Sequence, residues 1–161
     1  MHDFMAWMEA STLGHLMRES GPWTYGIVNL THILGIASLF GSILVMDLRL
    51  LGCWRQVPLA ALAAATTPVG AIGLTVAVAS GIALLTANAT EYLGNPFFAI
   101  KFPAIGVGLI NLALLMRSPA WKARGERELS RAEHRQLAVM GGISLGAWFT
   151  AVAAGRMIGY W

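Results

Sequence analysis

Four long apolar runs constrain this chain more than any other feature: Thr24–Met46, Pro68–Asn88, Phe97–Arg117 and Leu137–Tyr160. A helix crosses the roughly 30 Å hydrocarbon layer with about 20 residues, and each run reaches that length. Lipid offers the backbone no water to bond, so such a run folds as a helix. Composition agrees. The chain is 57% hydrophobic and 12% charged, whereas a soluble domain carries about 25% charge. The expectation is an all-α integral membrane four-helix bundle forming a single domain over residues 1–161, with the lipid bilayer as its main partner. No basic segment followed by a short apolar stretch and a cleavage site opens the chain, so no removable signal peptide is expected. Cys53 is the single cysteine, which excludes an internal disulfide and a cysteine-only metal site.

Charge is distributed unevenly. Arg117, Lys122, Arg124, Arg127, Arg131 and Arg135 cluster after the third run, and Arg49 and Arg55 follow the first. The opposite side has Arg18, Lys101 and Arg156. The positive-inside rule then places both basic loops in the cytoplasm, with both termini and the loop 89–96 outside. Glu126, Glu128 and Glu133 interleave with the basic residues. The third loop therefore reads as a topology signal, and no nucleic-acid partner is expected.

Residues 3–19 alternate Phe4, Trp7, Met8, Leu13, Leu16 and Met17 with Asp3, Glu9, His15 and Arg18. This pattern predicts an amphipathic interfacial helix on the outer face. Ser20-Gly21-Pro22 ends it, and Trp23 and Tyr25 suit an interfacial aromatic belt. Residues 57–65 suggest a second short interfacial helix, with Thr67 capping and Pro68 opening the second span. Gly73, Ala77 and Gly81 form one small-residue stripe; Ala147, Ala151, Gly155 and Gly159 form another. Such stripes allow close helix packing, or leave room for a flat cofactor.

The chemistry concentrates in one layer. His32 lies about 12 Å inward from Thr24, and Lys101 about 6 Å inward from Phe97. Arg156 lies a similar distance from Tyr160, and His32 sits beneath His15 of the outer helix in the same general layer as Lys101 and Arg156. An ionisable group at membrane depth is costly and normally faces a partner, a cofactor or water. Asn29, His32 and Ile36 share a helix face with Tyr25. His32 is thus either hydrogen-bonded, to Asn29 or another helix, or a ligand. Lys101 either snorkels to the interface, pairs with a cofactor carboxylate or carries protons. Arg156 pairs with Glu91 or with a haem propionate. Asp47 and Arg49 read as markers of the cytoplasmic interface, leaving no ionisable residue within the inner half of the bundle. His2 and His134 read as exposed. Met1, Met5, Met8 and Met17, with His2 and His15, suit Cu(I) or form an apolar face.

His32 followed by Gly35 and Gly41, and the exit Asp47-Leu48-Arg49-Leu50-Leu51-Gly52, resemble an uncharacterised family of bacterial four-span proteins. Pro96-Phe97-Phe98-Ala99-Ile100-Lys101 with Asn111 is similar to that family's third helix. A first-span histidine with a lysine early in the third span is distantly similar to the membrane protoporphyrinogen oxidase family. Leu39-Phe40-Gly41 stands where that family carries tryptophan. The copper resistance D family is similar in plan. The oxidase resemblance implies haem b held through such positions, and the copper family implies copper. The resemblance to bacterial families implies a bacterial inner membrane, where the outward termini expected from the basic loops lie on the periplasmic side.

The leading expectation is a b-type haem membrane protein for electron transfer, a redox subunit working near the outer face. His32 is the axial ligand, His15 the second metal ligand, and Lys101, Arg156 and Asn29 complete the cofactor site. The alternatives are a copper-handling or transport protein and a non-catalytic membrane subunit that anchors a membrane or periplasmic partner or forms a homo-oligomer. There is no phosphate loop, paired-cysteine zinc pattern or serine-histidine-acid arrangement. Paired inverted transporter repeats are absent as well.

Overall fold

The computed structural model describes residues 2–161, and no strand occurs among them. Helices α1 (His2–Glu9) and α2 (Thr12–Glu19) lead into α3 (Gly21–Leu50) and α4 (Leu59–Ala87). A 3₁₀ turn (Ala89–Tyr92) precedes α5 (Pro96–Arg117), then the single turn α6 (Pro119–Lys122) and α7 (Arg131–Met157), which runs on as a 3₁₀ turn over Ile158–Tyr160. The four long helices are long and apolar enough to cross a membrane. The protein is an all-α membrane bundle.

The segment expected as one interfacial helix is two. Ser11 breaks it and caps α2, accepting from the Gly14 amide at 3.2 Å. Both pieces fold onto the end of α4. A Cβ on Gly14 would lie 2.8 Å from the Thr86 carbonyl oxygen, so only glycine permits that approach. Arg18 donates to the Ala87 carbonyl at 3.1 Å and the Glu9 carbonyl at 2.8 Å. It thereby satisfies end carbonyls that the helix itself leaves unpaired. Glu9 accepts from the Thr90 amide at 2.9 Å and from its hydroxyl at 2.7 Å. Gly21, at φ +81°, turns the chain into α3.

The second span differs from expectation. Helix α4 starts at Leu59, absorbs the segment expected as a separate interfacial helix and carries Pro68 in its interior. Alanine-rich sequence from Leu59 to Ala65 favours helix strongly, and one lost backbone bond at proline is tolerated in membrane helices. At α5, Asn95 accepts from the Phe97 and Phe98 amides, and Pro96 occupies the first turn. Helix α7 begins before its apolar run, at a capping box in which Ser130 and Glu133 bond each other's backbone amides.

Lipid tails are as apolar as leucine, so helix contacts rest on close packing rather than on the hydrophobic effect. Helix α4 packs on α3, α3 on α7, and α7 on α5, leaving α4 and α5 as the flanks. The α3–α4 contact is backbone to backbone. A Cβ on Gly73 would lie 2.5 Å from the Leu39 amide nitrogen, and one on Gly35 would lie 2.8 Å from that of Ala77. On α5, Gly108 leaves room for the Trp148 indole, which a Cβ would meet at 2.8 Å. A core of Met46, Leu50, Leu59, Ala63, Leu115, Ala120, Trp121 and Leu137 closes the arginine-rich end.

Candidate functional site

Helix α3 turns His32 toward α4. His32 Nδ1 lies 3.1 Å from Ser80 Oγ, and the ring lies over Gly81, where a Cβ would come within 2.9 Å of Cε1. The Ser80 hydroxyl donates to the Val76 carbonyl at 2.5 Å. That uses its only proton, so Ser80 Oγ accepts from an Nδ1–H on the imidazole. The Nε2 lone pair is then the free coordinating atom, and no hydrogen bond engages Nε2 among the described residues. Metal-binding histidines are held in this way by a partner on the other ring nitrogen.

Lys101, on α5, lies along α7. A Cβ on Gly155 would sit 3.6 Å from Lys101 Nζ. Lys101 is close enough for its charge to act on His32. Tyr25 and Tyr92 are likewise close enough to interact electrostatically. Tyr92 stacks on Phe98 with ring centroids 5.8 Å apart, and Phe98 packs on Phe102 at 4.6 Å. One layer at the end of the bundle bearing the chain termini thus combines an imidazole, an ammonium group and a wall of aromatic rings. Burial holds the Tyr92 hydroxyl above its ordinary range, and Tyr25 and Glu91 add to the effect.

Among the described residues no hydrogen bond joins His32 to Asn29, His15 or Arg156. Asn29 is exposed, and His32 bonds Ser80 in its place. His15 is exposed on α2, its ring 3.5 Å from the Glu19 carboxylate. Arg156 makes no ion pair with Glu91 among the described residues. It donates to the Tyr160 hydroxyl and stacks over that ring at 4.5 Å, because the last turn of chain brings Tyr160 back over it. Glu91 accepts instead from Asn88 at 3.2 Å. Met5 and Met17 are buried as apolar packing; Met1 lies outside the described residues. No group of three or more histidine, cysteine or acidic residues able to hold a metal occurs among the described residues.

The two small-residue stripes serve different ends. Gly73 and Ala77 are filled by the α3 backbone, which leaves no room for a cofactor there; Gly81 receives the His32 ring. Ala147 and Ala151 are buried, while nothing lies within 4 Å of a Cβ placed on Gly159.

Asp47 is the main residue that sequence reasoning misplaced. It is 3% exposed, with Ser144 of α7 beside its carboxyl. Helix α3 continues to Leu50, so Asp47 joins the inward face of Leu39, Ser42, Met46 and Leu50. Its position next to Met46 on a helix reaching past it was the available signal. Ser80 was also missed, since a serine in an apolar run gives no warning of its partner.

No curated protein and no solved structure matches the chain. The model of a family of unknown function (DUF6644) matches residues 4–161, and the chain belongs to that family.

Proposed function

We propose that this protein is a b-type haem membrane protein that passes electrons at the periplasmic face of a bacterial inner membrane, with His32 as the axial ligand from the chain. The observation that carries the reading is the fixed imidazole: Nδ1 is committed to Ser80 and Nε2 is free. A haem held there would supply one-electron chemistry. His32 supplies the coordinating nitrogen, and Ser80 sets its tautomer and aim. Gly81 lets the ring lie against α4, and Lys101 would offer an ammonium group to a propionate. The aromatic wall of Tyr92, Phe98 and Phe102 would limit access of water. His15, as placed, bonds toward Glu19, which favours one histidine ligand over two.

The test is an absorption spectrum of the detergent-purified protein, oxidised and reduced, with metal analysis. The expected result is a Soret band that shifts on reduction, with iron near one per chain. Copper without a Soret band supports the copper-handling reading instead. A clean preparation with neither metal supports a subunit that anchors a partner.

A further inference from the structure

Asp47 lies at the opposite end of α3 from His32. It is 3% exposed, and its Oδ2 has no hydrogen-bond partner among the described residues. The α3 and α7 backbones are close here: a Cβ on Gly141 would sit 3.2 Å from the Asp47 carbonyl oxygen and 2.9 Å from Leu50 Cβ. No cation among the described residues pairs with the carboxyl. Arg49, on the same helix, turns away to bond the Val57 carbonyl at 2.9 Å and the Arg55 carbonyl at 3.3 Å. Helix α4 contains no ionisable residue. Helix α7 presents Ser144; its Arg131, His134 and Arg135 are exposed near its start. On α5, Lys101 sits against Gly155 at the far end and Arg117 is exposed. Lys122 is exposed, and Arg124 bonds the Trp121 carbonyl at 2.6 Å.

A carboxylate stripped of water and left without a cation costs several kcal/mol. The neutral acid avoids that cost by carrying a proton of its own. Asp47 is also only about 5 Å along the axis from the end of α3 at Leu50, a short way from water. We infer that Asp47 is a proton-binding site in the α3–α7 contact, occupied at neutral pH and exchanging with water at the arginine-rich end. Loading forms one Oδ2–H bond with a proton taken from that water, and unloading returns it; no electron moves.

The chain has two aspartates, Asp3 and Asp47, and Asp3 is fully exposed. Infrared spectra of the reconstituted full chain, grown with carboxyl-¹³C aspartate, therefore report Asp47 against one solvated reference. The expected result at neutral pH is a carboxylic-acid C=O band that moves on labelling, moves again in D₂O, shifts in Ser144→Ala and is lost in Asp47→Asn. Label-sensitive bands of carboxylate type alone at neutral pH overturn the inference. So does an acid band that stays unshifted after days in D₂O. The wild-type labelling decides the matter even if Asp47→Asn does not fold.

Discussion

His32 is expensive at membrane depth, and the structure shows what holds it in place. Its Nδ1 bond to Ser80 and its seat on Gly81 fix the ring rather than leave it to choose among rotamers. Removing the Ser80 hydroxyl while keeping the ligand should weaken haem retention by about tenfold or more, the usual effect of losing an outer-sphere partner. Haem titration of Ser80→Ala measures this, and unchanged affinity would remove Ser80 from the site. The sequence exposed His32 and Lys101 because charge inside an apolar run is conspicuous. It did not expose Ser80, whose role depends on which helix faces α3. Asp47 was hidden for a different reason: beside Arg49 near the end of the run it resembles an interfacial residue, and only the unbroken helix to Leu50 shows that it faces inward.

At the scale of elements, α3 and α4 are joined by glycine contacts that no larger residue can make. Gly73→Ala places a Cβ 2.5 Å from the Leu39 amide nitrogen and 2.8 Å from the Gly35 carbonyl oxygen. Both obstacles are backbone, so the helices must separate, at a cost of about 1–3 kcal/mol typical of overpacking. Gly106→Ala has nothing within 4 Å and should be neutral or slightly stabilising, since alanine favours helix. Thermal unfolding in detergent compares the two, and equal midpoints would show that the α3–α4 contact is looser than described. The link between α1 and the Ala89–Tyr92 turn depends on pH. Hydrogen bonds from Thr90 hold the Glu9 carboxyl below its ordinary 4.5. Its folded form is favoured fully above 4.5, and the advantage fades as pH falls through the lower folded value. The exchange protection of the Thr90 amide should therefore hold from neutral pH down to the ordinary carboxylate value of 4.5 and be lost only below it; protection already lost at pH 6 contradicts the assignment. Helix existence was legible in hydropathy alone. Boundaries were not: Pro68 reads as a helix start, yet the alanine-rich stretch before it carries α4 through the proline.

At the scale of the molecule, a buried hydrophobic cluster around Leu137 and Trp121 closes the arginine-rich end, and the His32 site lies toward the end bearing the termini. Basic loops on one side predict that the arginine-rich end faces the cytoplasm. The exposed Cys53 in the loop after α3 is a native reporter. A membrane-impermeant maleimide should label it in inverted vesicles and leave it unlabelled in intact spheroplasts; the reverse pattern would invert the topology. The bundle as an architecture followed from four apolar runs, but the order α4–α3–α7–α5 did not, because it is set by which glycines meet which backbones. The central claim is that His32 is the haem ligand. The most direct measurement is the haem-to-protein ratio of His32→Ala beside wild type and His15→Ala, purified identically. The account predicts that wild type and His15→Ala carry haem and His32→Ala loses it. Full haem in His32→Ala, or none in the wild type, contradicts the account.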